Sequence, residues 1–450
     1  MKDVVQSIDQ LVVKGLEALE VMKKLSQYEV DRITESMCRA GVEHGRTLAE
    51  MAVAETGIGK VEDKVVKNYF GSQVVYDYMK DKKSVGIIDE TDGVISIAEP
   101  YGVIAGVTPT TNPTATTMFK SLSALKGRNV IIFAFHPRAQ QCSAEAARAL
   151  RAAAVSAGAP LDCIQWIEEP SVEATNVLMK HPGVSMIVAT GGGAMVKAAY
   201  SSGHPALGVG PGNVPVYIEK SADIEMAVNN VIASKAFDYG TLCLTEQSVI
   251  FDNEETAEKT LRLFREKGAH LCDEQEKAKL EAIMFDKEKG VASGRIVGQS
   301  PQKIADMAGF SVPDHVNLLL VPLTAIGHED WMSHEKLSPV LGWYVAAGKD
   351  EAIQAAVAQL EFGGAGHTAV AFSNDEKILE EFALKVPAGR VIWNQPSMHG
   401  VVGLTSGMVP SFTLGCGARG GNSTTEGVTF RNLINIKRAA RRTKPDAPEA

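Results

Sequence analysis

The sequence predicts an α/β fold with a parallel sheet, and the order of its apolar and helix-forming segments carries that prediction. Between residues 101 and 220, short apolar runs rich in β-branched residues alternate with helix-forming segments. Such alternation is typical of strands joined in parallel through helices that cover both faces of a sheet. The length of 450 residues leaves room for two or three domains, each with a buried core.

Residues 1–82 are predicted to be mostly helix. Apolar residues at helical spacing open the chain, namely Val4, Ile8, Leu11, Val12 and Leu16. Further amphipathic segments follow around 28–56 and 61–80. The segment 93–100 is short, β-branched and stopped by proline, so it predicts a strand in an arm near residues 85–100.

The central alternation predicts a Rossmann-like nucleotide-binding domain. Its predicted strands are 102–107, 129–133, 184–189 and 214–218, and its predicted helices are 113–126, 141–157 and 194–200. A second mixed α/β pattern follows from residue 233 and predicts a second domain. Residues 409–436 show short strand-like pieces, and a small basic end from Lys437 to Lys444 is predicted to be a solvated tail.

Composition and charge limit the classes of function. A net charge of −9 argues against nucleic acid as the main partner. The six cysteines are scattered, without paired CxxC motifs or metal-ligand spacing, which predicts free thiols, no metal and a reducing compartment. No apolar run approaches the ~20 residues of a membrane span. A cytoplasmic protein without a membrane partner is expected.

Cys243 is the strongest candidate for chemistry. It ends the loop 237–243, between a helical stretch and the apolar run 248–251. A thiol at the end of a packed element can reach a substrate, and its thiolate is a strong nucleophile. A lone cysteine is also commonly a small buried hydrophobe, and the loop alone does not decide between the two.

A glycine-rich turn at 208–212 precedes that loop and carries no carboxylate, and neither do residues 204–207. An acyl group on Cys243 would find no obvious base there to activate water, so another nucleophile must accept it. With these segments the chain resembles the CoA-acylating aldehyde dehydrogenases, most closely the aldehyde dehydrogenase half of bifunctional aldehyde-alcohol dehydrogenases. Hydrolytic members carry a glutamate at about the place of Ala206, and a non-acidic residue there is usual in the acylating branch.

The resemblance runs from 51–57 to 432–435 and implies an aldehyde dehydrogenase-like fold. It implies a cofactor-binding domain at 1–232, a catalytic domain at 233–408 and an oligomerisation arm and tail at 409–450. It also implies NAD or NADP as cofactor, coenzyme A as co-substrate, and a homodimer or homotetramer. Because the sequence ends without an iron-type alcohol dehydrogenase half, a stand-alone enzyme is expected.

Asn112 is the second candidate, just after the first strand of the predicted nucleotide domain. Ligands bind at the carboxyl ends of strands in open α/β sheets, but an asparagine before proline is also common in turns. The resemblance to the Asn-Pro motif of aldehyde dehydrogenases assigns Asn112 to the oxyanion that forms when a thiolate attacks an aldehyde. The backbone N–H of Cys243 is the expected second donor.

The remaining expected contacts are with the cofactor. The glycines of 190–193 follow a buried strand and open a helix, which lets backbone approach a pyrophosphate, although this signal alone is weak. Glu335 would read as a surface glutamate without the resemblance, which instead implies hydrogen bonds from the nicotinamide ribose. The whole predicted cofactor set is Thr108, Thr110, His136, Arg138, Thr190, Gly191, Gly192, Gly210 and Glu335.

Two segments depart from the family pattern. Residues 133–138 stand where many aldehyde dehydrogenases have a lysine and a glutamate that hold the adenosine ribose, so NAD and NADP both stay open. Arg138 either favours a 2′-phosphate or faces solvent. Arg419 stands where relatives usually carry tryptophan; it either pairs with a carboxylate or sulfonate of the substrate or makes a subunit contact.

His367, in the glycine-rich segment 363–368, is the histidine singled out from ten. Structural histidines are the usual case, but the motif is typical of the acylating branch. The resemblance assigns His367 to deprotonating the CoA thiol or assisting the Cys243 thiolate.

The sequence thus predicts reversible, NAD(P)-dependent, CoA-acylating oxidation of a short aldehyde through a thioester on Cys243. Acetaldehyde is the commonest substrate of the family, and Arg419 favours a small anionic aldehyde such as sulfoacetaldehyde or succinate semialdehyde. Two alternatives are a hydrolytic dehydrogenase that releases free acid and a non-catalytic assembly subunit. The missing glutamate speaks against the first, and retention of Cys243, Asn112 and Glu335 speaks against the second.

Overall fold

A computed structural model describes residues 2–444 and shows a mixed α/β architecture. The strands in chain order are β1 (Gly86–Thr91), β2 (Val94–Pro100), β3 (Val103–Val107), β4 (Val130–Ala134), β5 (Ile164–Trp166), β6 (Met186–Thr190), β7 (Ala206–Val209), β8 (Val214–Ile218), β9 (Glu246–Phe251), β10 (Ala269–Leu271), β11 (Phe285–Asp286), β12 (Val291–Ala292), β13 (Leu318–Pro322), β14 (Val340–Val345), β15 (Thr368–Phe372), β16 (Arg390–Trp393) and β17 (Ile434–Ala440).

The α-helices are α1 (Lys2–Met22), α2 (Gln27–Glu43), α3 (Gly45–Thr56), α4 (Val61–Tyr69), α5 (Val75–Met79), α6 (Pro113–Lys126), α7 (Gln140–Ser156), α8 (Val172–Lys180), α9 (Gly193–Tyr200), α10 (Ile224–Lys235), α11 (Glu254–Glu266), α12 (Glu274–Met284), α13 (Pro301–Ala308), α14 (Lys349–Gly363), α15 (Glu376–Lys385) and α16 (Ser397–Gly400). Short 3₁₀ turns add Pro137–Ala139, Leu161–Cys163, Phe237–Gly240, Trp331–Ser333, Ala418–Gly420 and Phe430–Leu433, and a π-helical turn joins α4 to α5 at Phe70–Val74. Within residues 2–444, no helix is long and apolar enough to cross a membrane.

The predicted N-terminal helices are confirmed as α1 to α5. Ser26 begins α2 with a capping box, in which its hydroxyl and the Glu29 carboxylate each bond the other's backbone N–H. Ile8 and Val12 of the predicted apolar stripe are buried, whereas Leu16 is exposed.

A five-stranded sheet forms the first parallel core, in the order β5-β4-β3-β6-β7. Its central strands β3 and β4 are buried at every position, which explains why they read as continuous apolar runs rather than as alternating ones. Helices α1 and α8 pack together against this sheet, and α6 and α7 form a second packed pair on it.

A seven-stranded parallel sheet forms the second core, in the order β10-β13-β14-β9-β8-β15-β16. The predicted strand 214–218 is present as β8, but its assignment to the first sheet is wrong, because β8 pairs with β9 and β15. The chain therefore changes sheet at 210–213. The predicted domain limits at 232 and 408 stay predictions.

A three-stranded antiparallel sheet forms the arm, in the order β1-β2-β17. The strand expected near 85–100 is confirmed as β1 and β2. Between 409 and 433 the strand-like pieces reduce to one bridge between Leu414 and Gly427. The solvated basic tail is also a wrong prediction in part, because Lys437 lies within β17 and pairs with Glu99 of β2. Residues 445–450 lie outside the described part of the chain.

Candidate active site

The site forms where the two parallel sheets meet. In the five-stranded sheet, the site residues lie at or just after the ends of strands: Thr108 and Asn112 follow β3, and Thr190 is the last residue of β6. In the seven-stranded sheet, the site residues lie before strands: Cys243 precedes β9, Glu335 precedes β14 and His367 precedes β15. The glycine turn 210–213 links the carboxyl end of β7 to the amino end of β8. One sheet thus contributes its carboxyl edge and the other its amino edge.

Cys243 and His367 are in contact, as a nucleophile and its base would be. The Cys243 Sγ lies 3.4 Å from His367 Nε2, and His367 Nδ1 lies 2.9 Å from the Thr368 hydroxyl. Burial, with a smaller contribution from nearby Arg390, lowers the pKa of His367 to about 3. The imidazole is therefore neutral, and with Nδ1–H donating to Thr368, Nε2 is the acceptor that faces the thiol.

The Cys243 thiol is half-buried. Burial raises its pKa well above the usual range, and Glu335 and Cys416 raise it further, whereas Arg390 lowers it. Arg390 is itself buried and donates to the carbonyls of His367, Gly415 and Thr425. A resting thiol that loses its proton only when a base accepts it fits this environment.

Gly212 brings the glycine turn against the nucleophile. A Cβ at this position would lie 1.9 Å from the Cys243 carbonyl oxygen and 3.3 Å from His367 Cε1, so a side chain is excluded. The Gly212 N–H donates to Glu335 Oε1 at 3.0 Å. Burial raises the pKa of Glu335 to about 7 against the opposing effects of that hydrogen bond and of Lys235. The predicted cofactor carboxylate is thus joined to the turn beside Cys243.

Asn112 begins α6 as its N-cap residue, followed by Pro113 at the first helical position. Its Oδ1 accepts a hydrogen bond of 2.7 Å from Lys67 Nζ, and its Nδ2 lies 3.3 Å from the Thr111 hydroxyl. Lys67 also donates to Asp238 and, at 2.9 Å, to the hydroxyl of Thr241, two residues before Cys243. The Lys67 ammonium therefore connects Asn112, the predicted oxyanion donor, to the loop 237–243 that carries Cys243.

Sequence reasoning missed the buried charges of this connection. Lys64, Lys67 and Asp238 are at most 3% exposed, and both lysines pair with Asp238 Oδ2. Asp238 was visible in the nucleophile loop, but no local pattern marks two lysines spaced three apart on a helix as buried. Arg390 was missed for the same reason.

The carboxyl edge of the five-stranded sheet has unused polar groups. The hydroxyls of Thr108 and Thr190 are buried and have no hydrogen-bond partner among residues 2–444. A Cβ at Gly192 would meet no atom within 4 Å, so the N-terminus of α9 opens onto free space. Orphaned hydroxyls beside an open helix N-terminus fit a dinucleotide, which presents hydroxyl and phosphate oxygens. Thr110 and Gly191 are half-buried at the same edge.

His136 and Arg138 lie at the carboxyl end of β4 and are exposed. His136 Nδ1 accepts the Arg138 backbone N–H at 3.1 Å, and the Arg138 guanidinium donates to the Thr56 carbonyl at 3.3 Å. These contacts place the pair on the same edge as Thr108 but tie it to α3.

Arg419 lies in the 3₁₀ turn 418–420 and is exposed. It makes no hydrogen bond or ion pair with any of residues 2–444. Its neighbour Gly420 approaches the glycine turn, because a Cβ on Gly210 would lie 3.8 Å from the Gly420 carbonyl oxygen. A free guanidinium therefore lies one residue from a contact with the turn that borders Cys243.

Comparison with known proteins decides the family. A profile described as the aldehyde dehydrogenase family matches residues 4–429. The chain belongs to the aldehyde dehydrogenase family. Among curated relatives it is 46% identical to aldehyde-alcohol dehydrogenase 2 of Entamoeba histolytica, over 97% of this chain and 52% of that protein. It is 38% identical to an acetylating succinate-semialdehyde dehydrogenase of Clostridium kluyveri, over 96% of this chain and 95% of that protein.

Solved structures agree with this aldehyde dehydrogenase assignment. An acetylating aldehyde dehydrogenase from Geobacillus thermoglucosidasius is 46% identical and superposes with a TM-score of 0.96, covering 99% of each chain. A propionaldehyde dehydrogenase from Rhodopseudomonas palustris, solved with bound CoA and an acylated cysteine, is 26% identical with a TM-score of 0.85, covering 96% of this chain and 97% of that one. The chain spans about half the length of the aldehyde-alcohol dehydrogenases it matches.

Proposed function

We propose that this aldehyde dehydrogenase oxidises a short aldehyde to an acyl-CoA with NAD or NADP, reversibly, through a thioester on Cys243. The observation that carries the proposal is the 3.4 Å contact between the Cys243 thiol and the neutral His367 imidazole. It occurs beside the glycine-rich turn 208–212, and neither this turn nor residues 204–207 carry a carboxylate to activate water. The relatives named as acetylating and the CoA-bound structure support the same reaction.

His367 begins the reaction by accepting the Cys243 proton, and the thiolate attacks the carbonyl carbon of the aldehyde. The carbonyl oxygen becomes an anion on a thiohemiacetal. The Asn112 Nδ2–H and the backbone N–H of Cys243 donate to this oxygen, and such a fixed donor is typically worth ~3 kcal/mol. Asn112 has this hydrogen to spare because its Oδ1 faces Lys67.

The nicotinamide cofactor, when bound, accepts the hydride of the former aldehyde. Thr108, Thr190 and the N-terminus of α9 would hold it at the carboxyl edge of the five-stranded sheet. Glu335, fixed by Gly212 N–H, would accept hydrogen bonds from its ribose. Thr110, Gly191, His136, Arg138 and Gly210 are the remaining proposed contacts.

Release of the acyl group completes the reaction. After His367 has released the first proton to water, its Nε2 accepts the proton of the CoA thiol. The CoA sulfur attacks the Cys243 thioester, and Cys243 leaves as a thiolate that takes this proton back from His367. One thioester is exchanged for another, so the step is nearly balanced and the reaction runs in both directions. Acetaldehyde and small anionic aldehydes are the proposed substrates, with the free Arg419 guanidinium at the site border as the partner of an anionic group.

A hydrolytic dehydrogenase is the second candidate, and one observation favours it. Burial raises the Glu335 pKa to about 7, and its charge acts on the Cys243 thiol. A carboxylate with this pKa is suited to activate water near neutrality. Its Oε1, however, already accepts the Gly212 N–H.

The deciding experiment measures NAD(P)H formation from acetaldehyde, succinate semialdehyde and sulfoacetaldehyde, with and without CoA. We expect multiple turnovers only with CoA, and a single-turnover burst without it. Equal multiple turnover without CoA, together with loss of that turnover in Glu335→Gln, would establish the hydrolytic candidate instead.

We also propose that the arm β1-β2-β17 pairs subunits into a homodimer or homotetramer. The support is that β1, one edge strand of this sheet, is largely exposed and leaves backbone groups open for pairing. A cytoplasmic location is proposed from the six cysteines, all of which are free thiols.

A further inference from the structure

We propose that Lys67 is a positioning residue, which fixes the amide of Asn112 in the orientation that stabilises the oxyanion and, through Asp238, joins that amide to the Cys243 loop. This inference rests on the proposed function, since it assigns how the oxyanion donor of that reaction is oriented.

The chemistry of the ammonium sets the orientation of the amide. Lys67 Nζ carries only donors, so it accepts nothing from the Asn112 Nδ2–H and requires Oδ1 to face it. The observed 2.7 Å contact joins Nζ to Oδ1. Nδ2 then faces away from Lys67. Its one partner within residues 2–444 is the hydroxyl of the neighbouring residue Thr111, in a long contact of 3.3 Å. One N–H of Asn112 is left for a developing oxyanion.

Asp238 fixes Lys67 in turn. It is fully buried, and its Oδ2 accepts from Lys64, Lys67 and Thr241, whereas Oδ1 accepts the Lys60 backbone N–H at 2.7 Å. An aspartate that accepts four hydrogen bonds from the start of one helix and from one loop holds the two together. Helix α4 is thereby attached to the loop that carries the nucleophile.

The backbone of that loop requires such a support. Asp238, Tyr239 and Gly240 have φ angles of 47°, 53° and 67°, so three consecutive residues are in the left-handed region. Only glycine enters this region without cost, and such strain persists where surrounding contacts determine it. The loop continues through Thr241, another Lys67 partner, to Cys243.

The charges of the cluster also suit an oxyanion. The groups that face one another are the cations of Lys60, Lys64 and Lys67 and the anions of Asp63 and Asp238. Three cations and two anions leave one positive charge beside Asn112. Burial lowers the Lys67 pKa to about 8, and Asp238 opposes that decrease. The ammonium therefore persists at neutral pH where negative charge develops.

Lys64 provides a matched control. It lies three residues earlier on the same helix, is equally buried, and pairs with the same Asp238 oxygen. Its other contact is the Thr111 carbonyl at 3.0 Å, not the Asn112 side chain. Loss of a buried cation next to Asp238 is thus common to Lys64→Met and Lys67→Met, and loss of the Asn112 contact is specific to the second.

The experiment measures three quantities: kcat for NAD(P)H formation, the melting temperature, and the rate at which iodoacetamide alkylates Cys243. The variants are Lys67→Met, Lys64→Met, Lys67→Arg, Asn112→Ala and the Lys67→Met/Asn112→Ala double variant. Because the oxyanion forms before the acyl group is released, kcat is measured with the acceptor that the wild-type enzyme uses, CoA or water. A failure of the CoA-dependent function is therefore visible in the wild type and does not decide this test.

We expect Lys67→Met to lose roughly 10- to 100-fold in kcat, less than the ~10²- to 10³-fold of losing the amide itself. Alkylation of Cys243 should stay within about threefold. Lys64→Met should lose less kcat than Lys67→Met, because it removes a cation but not the contact with Asn112, and Lys67→Arg should retain most of the activity. In the double variant, Lys67→Met should cost far less than it does alone, since it acts mainly through Asn112 and only its charge acts on the oxyanion directly.

Two results would overturn the proposal. Independent, multiplicative losses in the double variant would show that Lys67 does not act through Asn112. Equal kcat losses in Lys64→Met and Lys67→Met, tracking melting temperature, would show that the cluster only stabilises the fold. If Lys67→Met does not fold, Lys67→Gln takes its place, because its amide can donate to or accept from Asn112 and so no longer determines the orientation.

Discussion

The two edges that form the site differ in the kind of group they contribute. The amino edge of the seven-stranded sheet brings Cys243 and His367, both neutral at rest because burial raises one pKa and lowers the other. The carboxyl edge of the five-stranded sheet brings Asn112, whose amide is fixed by a buried ammonium. In the proposed reaction, the side chains that change covalent or protonation state thus come from one sheet, and the side chain that stabilises the oxyanion comes from the other.

This division has a physical reason. Burial without a strong counter-charge keeps both the thiol and the imidazole neutral at rest, so the proton moves between them only as the thiol attacks the substrate. Stabilising an anion requires instead a hydrogen-bond donor that is held in place permanently and, if it is charged, is paired with an opposite charge. Asp238 gives Lys67 that partner, whereas Arg390, near Cys243, is anchored by backbone carbonyls. Substitutions on the two edges should therefore separate thiol reactivity from turnover.

Replacing Cys243 should have the largest effect. Cys243→Ala should lower kcat by on the order of 10⁴-fold or more, because no covalent intermediate can form. Incubation with aldehyde and NAD(P) but no CoA should give the acyl mass increase in wild-type protein and none in the variant. Cys416→Ala is the control, since this thiol is also buried near the site but its sulfur contacts the Leu414 carbonyl rather than the His367 imidazole. An acyl adduct that survives Cys243→Ala would contradict the assignment.

His367→Gln should remove the base from the amino edge of the seven-stranded sheet and leave the Cys243 thiol in place. We expect roughly a 10²- to 10⁴-fold loss of kcat, because the thiol loses the base that accepts its proton. Alkylation of Cys243 by iodoacetamide at pH 7 should slow in parallel and recover as the pH rises. Unchanged alkylation would assign the imidazole to the CoA thiol alone.

Asn112→Ala should remove the amide donor at the carboxyl edge of the five-stranded sheet and leave the Cys243–His367 pair at the amino edge unchanged. Removing one oxyanion donor should lower kcat by ~10²- to 10³-fold. Cys243 should be alkylated at the wild-type rate, because its contact with His367 is unaffected. A parallel loss of alkylation would mean that Asn112 supports the loop rather than the oxyanion.

Substitution of Arg419, which lies in the turn 418–420 and on neither sheet edge, tests whether this residue recognises a charged group on the substrate. For an anionic aldehyde, Arg419→Ala should raise KM about tenfold, the equivalent of ~1.4 kcal/mol, and leave acetaldehyde unchanged. Arg419→Lys should recover part of the difference. Equal KM changes for both substrates would favour the subunit-contact alternative, which a shift in oligomer size would then support.

The smallest expected effect is on stability at acid pH. The folded-state pKa of His367 is about 3, below the usual 6.5 of histidine, so between these values the unfolded chain binds a proton that the folded protein does not. Stability should therefore fall as pH decreases through 6.5. Between pH 7.5 and 5.5 the wild type should lose about 1 kcal/mol more than His367→Gln in urea unfolding. Equal losses would mean that the buried imidazole accepts a proton without cost.

Many elements could be predicted from local signals. The helix expected at 113–126 is α6 with the same bounds, because Pro113 at its first position and an uninterrupted helical pattern define it. The strand expected at 102–107 is β3 within one residue, because a wholly buried strand reads as an apolar run. The sheet assignment of 214–218 failed, since alternation of strands and helices shows that strands are parallel but not which sheet each one joins.

For the site, sequence by itself determined the chemical types: a loop thiol, a histidine in a glycine-rich segment, an asparagine before proline, and a glycine turn without a carboxylate. These depend on short stretches of chain, where spacing and residue type are visible. Only the tertiary structure decided that the thiol and imidazole are 3.4 Å apart, across a separation of 124 residues. It alone showed that Lys67 pairs with Asp238, 171 residues away, and contacts the Asn112 side chain. The physical reason is burial: whether a lysine is a solvated surface charge or a fixed donor depends on what folding packs around it, and no local pattern records that.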